Sequence, residues 1–504
     1  MGIVIYPPTI DWDYMKQRPQ HLMSMFAKHG FPVLYFNKMA REGPVVTKAA
    51  NRLYVINHAN YFLKYIYPEL QGYKKLYWTS WSKMLAKARR LNADLVVYDC
   101  VDDFPDWEHD ELGSIGMADL IVCTADPLKQ KMERIAQDKP ISIVRNGCDW
   151  QHFASALTQE TRQIEGVPPA SGSKIGYIGA WAPWVNEQLL KDTAAAFPDS
   201  QIIIVGPKLR EDEPNYGPNV FYLGYRDYAD LPAILSYLDV CVIPFRLNRI
   251  TESTNPIKVY EYLAAGKPVV ATNMPELRKM RDVVHVAETG EQFLNMIRLA
   301  LQTPKSNAHR LSQYAKSHSW EQRFAQIAAL LKRHDPMFRP GLSLSRLDQM
   351  ADGPPRAKSV KLVHSTVNSY YAKRNFPKDP PLAGRRGTAV YECYFKPETQ
   401  ATPIRPSSKV FLEFELSGPD LDAADAVVQI GVSHQPWNRA TMTFSNRPIF
   451  PTAANVHHSH ALYETLSVDV TAFVQGGGLP SFRFSSLHSK TIGIRNARLT
   501  IFEP

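Results

Sequence analysis

Along residues 1–165, short unbroken apolar runs alternate with longer segments of helical period. "IVIYPP", "FPVLYFN", "ADLVVYDC", "ADLIVCTA" and "PISIVRNG" read as buried strands, and "RPQHLMSMFAKHG" reads as a helix closing at Gly30. Continuous apolar strands joined through helices predict a parallel sheet covered on both faces. The scheme repeats over 173–300, where "KIGYIGA", "SQIIIVGP", "NVFYLG", "LDVCVIPF" and "KPVVAT" are the strands. "HSWEQRFAQIAALLKRH" closes this portion as an amphipathic helix. The expectation is an α/β architecture of two Rossmann-like domains, 1–168 and 169–336. Ligands of such sheets bind beyond the carboxyl ends of the strands, so the two domains should share one cleft.

The period then changes. "PMFRPGLSLSRLDQMADGPPRAKS" is rich in Pro, Gly and Ser without periodicity, so residues 337–358 read as a linker. From 359 to 504, runs such as "AVYECYF", "KVFLEFEL", "AVVQIGV", "ATMTFS", "LSVDVTAFV", "SFRFSS" and "ARLTIF" alternate with period two. Turn residues punctuate them, which predicts an all-β sandwich. Beyond the duplicated α/β scheme there is no sequence repeat.

A length of 504 residues agrees with several domains, and 44% hydrophobic with 21% charged residues is an ordinary globular composition. No apolar run is long enough to span a bilayer, and "MGIVIYPPTIDWDY" enters a strand directly without the pattern of a secretory signal. Cys100, Cys123, Cys148, Cys241 and Cys393 are scattered without a CxxC pair. That spacing argues against a disulfide framework or a zinc site and for a reducing, cytoplasmic setting. A net charge of +9 suits nucleic acid, an anionic membrane face or phosphorylated substrates. With no nucleic-acid motif of defined spacing, nucleic acid is set aside in favour of the other two.

The segment carrying chemistry is "TNPIKVYEYLAAGKPVVA", residues 254–271. Asn255 is placed to cap a helix, Pro256 fits its first position and Gly266 its end. Lys258 and Glu261 then lie one turn apart, behind a loop with Arg246 and Arg249. In isolation they read as an exposed helical ion pair worth a few tenths of a kcal/mol. The segment resembles the donor-site helix of retaining GT-B glycosyltransferases of the "glycosyl transferases group 1" family. "VRNGCDWQHF", "IGYIGAWAPWVNEQLL", "IIIVGP", "NVFYLGY", "LPAILSYLDVCVIPF" and "HSWEQRF" follow that family's order, and "DWDYMKQRPQHL" with "VVYDCVDDF" resembles its teichuronic-acid glycosyltransferase-like branch. The resemblance covers residues 1–335 or so.

The resemblance implies a nucleotide-sugar substrate, no further cofactor and no metal. A helix N-terminus carries about half a positive charge and free N–H groups, which suit a diphosphate. Lys258 in the first turn and Lys208 after "VGP" would add fixed cations, which stabilise a departing diphosphate as a metal would. Glu261 matches the family glutamate that accepts hydrogen bonds from the nucleotide ribose, and Gly179 falls in the loop opening the donor domain. The family's Glu-x7-Glu pattern would put its first glutamate at Ser253, with Glu252 one residue off. Ser253, Thr254 or Asn255 would then face the donor sugar, or Glu252 would swing in.

Candidate catalytic groups are Asp102 and Asp103, in "DCVDDF" at a strand's carboxyl end, and His21. Either carboxylate would hold sugar hydroxyls, act as base or cap a helix. The first strand-to-helix loop, with Asp11, Asp13, Arg18, Gln20 and His21, replaces a Gly-rich turn and suggests acceptor contact. Residues 61–90 interleave aromatics with Lys64, Lys74, Lys75, Lys83, Lys87, Arg89 and Arg90. They fit either a peripheral contact with an anionic membrane or a basic helix with a packed aromatic face. "VHHSHAL" (His457, His458, His460) has no adjacent carboxylate or cysteine pattern that would make it a metal site. "LSVDVTAFV" and "ARLTIF" resemble jelly-roll carbohydrate-binding modules, which would grip an acceptor chain; a packing or oligomerisation role explains the same pattern. The expectation is a glycosyltransferase acting on a glycan or lipid-linked acceptor in surface polysaccharide synthesis. A nucleotide-sugar epimerase of GT-B fold and a non-catalytic glycan-binding scaffold are the alternatives.

Overall fold

A computed structural model of the chain describes residues 2–160, 163–169, 171–341 and 344–368, and, further on, 391–397, 404, 407–417, 427–432, 440–443, 463–471, 482–486 and 493–504. The chain forms two compact units. The first comprises Met1–Tyr6, Asp13–Phe31 and Lys74–Gly341, and the second Pro7–Trp12, Pro32–Tyr73 and Leu342–Pro504.

The first unit holds two parallel sheets. In one, the strands Gly2–Tyr6, Lys74–Thr79, Leu95–Cys100, Leu120–Cys123 and Ile141–Ile143 pair in that order. In the other, the order is Val220–Tyr222, Gln201–Val205, Lys174–Ile178, Val240–Ile243, Val269–Thr272, Val284–Ala287, every pair parallel. Numbered along the chain this is 3-2-1-4-5-6, the doubly wound order. The strands read as unbroken apolar runs because helices cover both faces, and their side chains are almost all buried. In this order the direction of winding reverses between Lys174–Ile178 and Val240–Ile243, and the loops leaving those two strands flank the crevice where ligands bind.

The helix Trp320–His334 ends the second sheet's half but packs on the first. Phe324 meets Phe26 edge-on at 5.0 Å and stacks on His29 at 4.2 Å. The chain therefore crosses between the halves twice, and the crossings touch: Trp320 N–H donates to Cys148 O at 3.0 Å. Gly147 permits this, since a Cβ there would stand 2.5 Å from His318 O.

One expectation is corrected. Residues 61–90 are not one basic helix: they hold the end of the helix Ala59–Tyr65, the strand Lys74–Thr79 and a 3-10 stretch Ser82–Leu91. Leu76, Tyr77 and Trp78 are core residues of that strand. Two lysines at its start mask a short apolar run that is buried as strand. The strands Val46–Ala50, Leu53–Ile56 and Val284–Ala287, which the apolar pattern did not mark, are also present. Cys100, Cys123, Cys148 and Cys241 are buried free thiols. Among the described residues, no helix is long and apolar enough to cross a membrane.

In the second unit, Leu53–Ile56 pairs parallel with Val33–Phe36 and antiparallel with Val46–Ala50. Arg356–Asn368 serves two antiparallel ladders. Its first part pairs with Gly493–Glu503 and with Gly43–Pro44, and its remainder from Leu362 with Tyr391–Pro397. Lys409–Ser417 and Tyr463–Asp469 extend the first ladder; Phe482–Ser486, Val427–Val432 and Ala440–Thr443 extend the second. Part of the proline-rich stretch is helical, at Ser345–Met350. His457, His458 and His460 lie outside the described residues.

Candidate active site

The loop leaving Val240–Ile243 ends in the short helix Arg249–Glu252, capped by Asn248, and then the helix Ile257–Ala264. Asn255 does not cap the second helix as its identity suggests; Pro256 occupies that position. Asn255 is instead fully buried and bonded to the first half. Its Oδ1 accepts from Asn146 N at 2.9 Å, and its carbonyl accepts from Asn146 Nδ2 at 2.6 Å. A cap uses an amide locally, whereas here a residue far along the chain competes for it and wins.

Lys258 Nζ sits 3.0 Å from Glu261 Oε2 on this helix. Glu261 is only 2% exposed, and its Oε1 has no hydrogen-bond partner among the described residues. This is not the exposed surface pair that spacing alone suggests. A buried carboxylate oxygen without a donor costs free energy unless something supplies a proton to share. Lys208 is exposed and held by its own loop, at 3.2 Å from Glu211 O and 3.3 Å from Glu213 Oε1. Gly179 ends the strand Lys174–Ile178, and its N–H donates to Val205 O at 2.8 Å. Gly206 backs onto it so closely that a Cβ there would lie 1.9 Å from Gly179 O. Ser253 is buried at the end of the helix Arg249–Glu252.

Asp102 and Asp103 leave the strand Leu95–Cys100 toward this loop. Thr254 Oγ1 donates to Asp102 Oδ1 at 3.2 Å and to Ile250 O at 2.7 Å. Burial of the carboxyl, helped by the charge of Asp103 and opposed by the Thr254 bond, raises the Asp102 pKa to about 7. Asp103 receives Arg249 through Nε at 2.8 Å and Nη2 at 3.0 Å, and Lys131 at 2.7 Å. Burial opposes its ionisation, but these two cations overcome that and hold its pKa below the usual carboxylate range. Asp103 is thus a tie between the two halves, and Asp102 beside it is the carboxyl poised to exchange a proton near neutrality.

Arg18, Gln20 and His21 stand on the first helix, Arg18–Lys28, and not on the loop before it, because Gln17 caps the helix and Pro19 fits its first turn; Arg18 and Gln20 are buried with their polar atoms used internally. Arg18 grips Asp99 through Nε and Nη2, both at 2.8 Å, and reaches Asn146 Oδ1 at 3.2 Å. Gln20 Oε1 accepts from Gln17 N at 3.1 Å, and its Nε2 donates to Tyr14 O at 3.0 Å. From the start of the helix, Gln20 holds the preceding loop and Arg18 the end of the strand Leu95–Cys100. Asp13 is exposed on that loop. His21 is 4% exposed, stacked on Trp320 at 5.0 Å and edge-on to Tyr228 at 5.6 Å. Burial, with Lys16, Lys258 and His152 nearby, pushes its pKa well down, so the imidazole is neutral at pH 7, and its Nε2 has no partner among the described residues.

The structure thus brings Asp102, Thr254, Lys258, Glu261 and His21 to the junction of the two halves, and leaves Lys208 on its own loop. It adds Lys16, Asn146, His152 and Tyr228, whose nearness depends on the two halves meeting and leaves no local spacing to detect. Two halves, each built on a parallel sheet and the second doubly wound, joined by crossings and holding a basic helix tip at their junction, have the architecture of a GT-B fold.

Comparison with known proteins agrees. Residues 172–303 match the family model described as Glycosyl transferases group 1. A curated Bacillus subtilis (strain 168) protein, TuaH, named as a teichuronic acid biosynthesis glycosyltransferase, is 29% identical over 178 residues. That alignment spans 34% of this chain and 44% of TuaH, so the chain covers under half the length of this relative. Among solved structures, sucrose-phosphate synthase from Thermosynechococcus elongatus superposes with a TM-score of 0.53 at 16% identity, over 66% of this chain and 98% of that one. Anabaena HepE, solved with UDP and glucose, gives 0.50 at 15% identity, over 66% and 100%. At such identities these structures show the fold alone. Residues 172–303 carry a glycosyl transferases group 1 domain on a GT-B fold.

Proposed function

We propose that this chain is a glycosyltransferase that moves a sugar from a nucleotide-sugar donor to a glycan or lipid-linked acceptor in surface polysaccharide synthesis. The observation that carries the reading is Glu261: a buried carboxylate with one oxygen on Lys258, in the first turn of the helix Ile257–Ala264, and the other without a partner among the described residues. An unpaired acceptor beside a cation and free helix N–H groups suits a ligand that is both hydroxylated and anionic, as a nucleoside diphosphate is. In this reading Lys258 and the helix tip stabilise the departing diphosphate without a metal, and Gly179 and Ser253 line the donor. Lys208 joins them by leaving its loop.

The reaction breaks the bond between the anomeric carbon and the phosphate oxygen and forms one to the acceptor oxygen. With retention, the departing phosphate takes the acceptor proton, and Asp102, ionised above about pH 7, orients the acceptor hydroxyl. His21 as a neutral imidazole and Asp13 at the rim complete the acceptor side. The C-terminal strands, as a jelly-roll-like sandwich, would hold the acceptor chain. The +9 net charge would favour peripheral contact with an anionic membrane, checked by sedimentation with anionic vesicles.

Donor turnover with and without a glycan acceptor tests the reading. Nucleotide release that depends on acceptor supports it. Conversion without acceptor identifies an epimerase, and no turnover across a donor panel identifies a binding scaffold.

A further inference from the structure

Thr254 follows the short helix Arg249–Glu252, and its hydroxyl is shared between two oxygens. Oγ1 lies 2.7 Å from Ile250 O, on its own helix, and 3.2 Å from Asp102 Oδ1, which belongs to the other half of the unit. One hydroxyl has one proton to give, so it serves one of these oxygens at a time. While Asp102 carries its proton, the carboxyl donates to Thr254 Oγ1 and the hydroxyl turns to Ile250 O. Once Asp102 is ionised, the hydroxyl turns to the carboxylate. Ile250 O is not orphaned by that turn, because Ser253 N also donates to it at 3.2 Å. Rotation about a single bond therefore satisfies both protonation states of Asp102.

The surroundings hold this pair in register and offer Asp102 no cation. Arg249 closes on Asp103 through two nitrogens and on Glu108 at 2.9 Å. Lys131 joins Asp103 to Glu111. Both cations are committed to those three carboxylates, and the carboxyl of Asp102 accepts only from Thr254 among the described residues. Burial raises the proton affinity of Asp102, the Thr254 bond opposes that rise and the charge of Asp103 adds to it. Asp102 keeps a side open to solvent, and with Oδ1 on Thr254 its Oδ2 is left for a substrate hydroxyl.

We propose that Thr254 is a positioning residue for Asp102, carried to it by the other half of the unit: its hydroxyl donates to the ionised carboxylate, accepts from the protonated carboxyl, and so holds Oδ1 while Oδ2 serves the acceptor. The inference rests on the reading of Asp102 as the group that orients the acceptor hydroxyl, and adds the residue that fixes its orientation and eases its ionisation.

The test is two pH series on the full-length chain. In urea unfolding, Thr254→Val should lower the midpoint more at pH 8 than at pH 5, because the ionised carboxylate has lost its donor. Thr254→Ala should do the same and Thr254→Ser should not; in the Asp102→Asn background the loss should be equal at both pH values. In acceptor-dependent nucleotide release, the rising limb near pH 7 should move up by about one pH unit in Thr254→Val, the weight of one hydrogen bond to a carboxylate. Thr254→Ser should keep the limb in place. No turnover by the parent across the donor panel, or a limb that survives Asp102→Asn, removes the reading of Asp102 and this inference with it. A limb that belongs to Asp102 and does not move in Thr254→Val overturns the inference alone. So does a midpoint lowered equally at pH 5 and pH 8, which is what a merely structural contact would give.

Discussion

Asp102 and Asp103 are adjacent in the chain and have opposite proton affinities, the first raised to about 7 and the second lowered. Burial penalises both charges, but only Asp103 has cations within reach, and that difference assigns their roles. The folded chain keeps the Asp102 proton between about pH 4 and pH 7, where the unfolded chain has released it. Through this group stability falls as pH rises across that window and levels off above it. Asp102→Asn should abolish that fall while leaving the opposite contribution of Asp103 in place, so its urea midpoint should gain on the parent's between pH 5 and pH 8. In turnover, the parent should show a rising limb near pH 7 that Asp102→Asn lacks; a limb that survives the substitution removes Asp102 from the reaction. Lys258→Ala leaves a buried carboxylate with neither oxygen paired, and should cost about 1.5–3 kcal/mol of diphosphate affinity by calorimetry. Lys258, Glu261 and Asp102 were legible in the sequence because a helical turn or a strand end fixes where each must point. Lys16, His152 and Tyr228 were not, because contacts between the halves bring them together.

Among the elements, the loop after the strand Ile141–Ile143 governs the site through Asn146. Its backbone N–H and side-chain amide both bond Asn255, its Oδ1 accepts from Arg18, and its carbonyl accepts from Arg323 Nε at 2.9 Å. One residue therefore joins the first helix, the crossing helix Trp320–His334 and the loop that presents Thr254. Arg145 beside it adds an ion pair to Glu276 at 2.6 Å, and Lys279 bridges Asp126 and Glu276. Asn146→Ala keeps the backbone bonds but leaves the Asn255 carbonyl short of a donor and Arg18 Nη1 with Arg145 O, at 3.3 Å, in place of two acceptors. It should cost about 1–3 kcal/mol in urea unfolding and weaken nucleotide binding although no ligand atom is expected to touch it. Unchanged nucleotide affinity would show that the donor loop holds its shape alone. Apolar strands were readable from period and length, because burial on both faces demands an unbroken run. The strand Lys74–Thr79 escaped because its opening lysines carry polar heads that find partners at the strand's end, Lys74 on Asp335 at 2.8 Å. The capping role read into Asn255 failed for a related reason: capping preference is local, and Asn146 satisfies the same amide more completely.

For the molecule as a whole, chain order and compactness diverge in the second unit. Residues 32–73 lie early in the sequence, yet they share a unit with the strands that follow residue 342. The joining contacts are specific. Gly43–Pro44 pairs with the start of Arg356–Asn368, Tyr61 packs on Phe502 at 4.4 Å, and His58 meets Phe502 edge-on at 5.0 Å. Lys64 and Tyr65 both bond Asp469, and Lys48 pairs with Asp348 at 2.6 Å. Arg498 and Thr500 converge on the buried Glu413, at 2.8 and 2.9 Å. Alternating strands announced the C-terminal ladders, but no pattern in residues 32–73 names a partner so far along the chain, since such pairing follows from surfaces that exist only after folding. Cooperative opening should follow these contacts. In native-state hydrogen exchange, amides of Leu53–Ile56 should open with those of Lys409–Ser417 and Gly493–Glu503, at one free energy distinct from that of Lys174–Ile178 and Gln201–Val205. Phe502→Ala, which removes the ring that Tyr61 and His58 share, should lower that opening energy by about 3–5 kcal/mol and leave exchange in the second Rossmann-like sheet unchanged. If Leu53–Ile56 instead opens together with Gln201–Val205 in both proteins, residues 32–73 take their stability from the first unit, and the contacts to Phe502 and Asp469 contribute little to it.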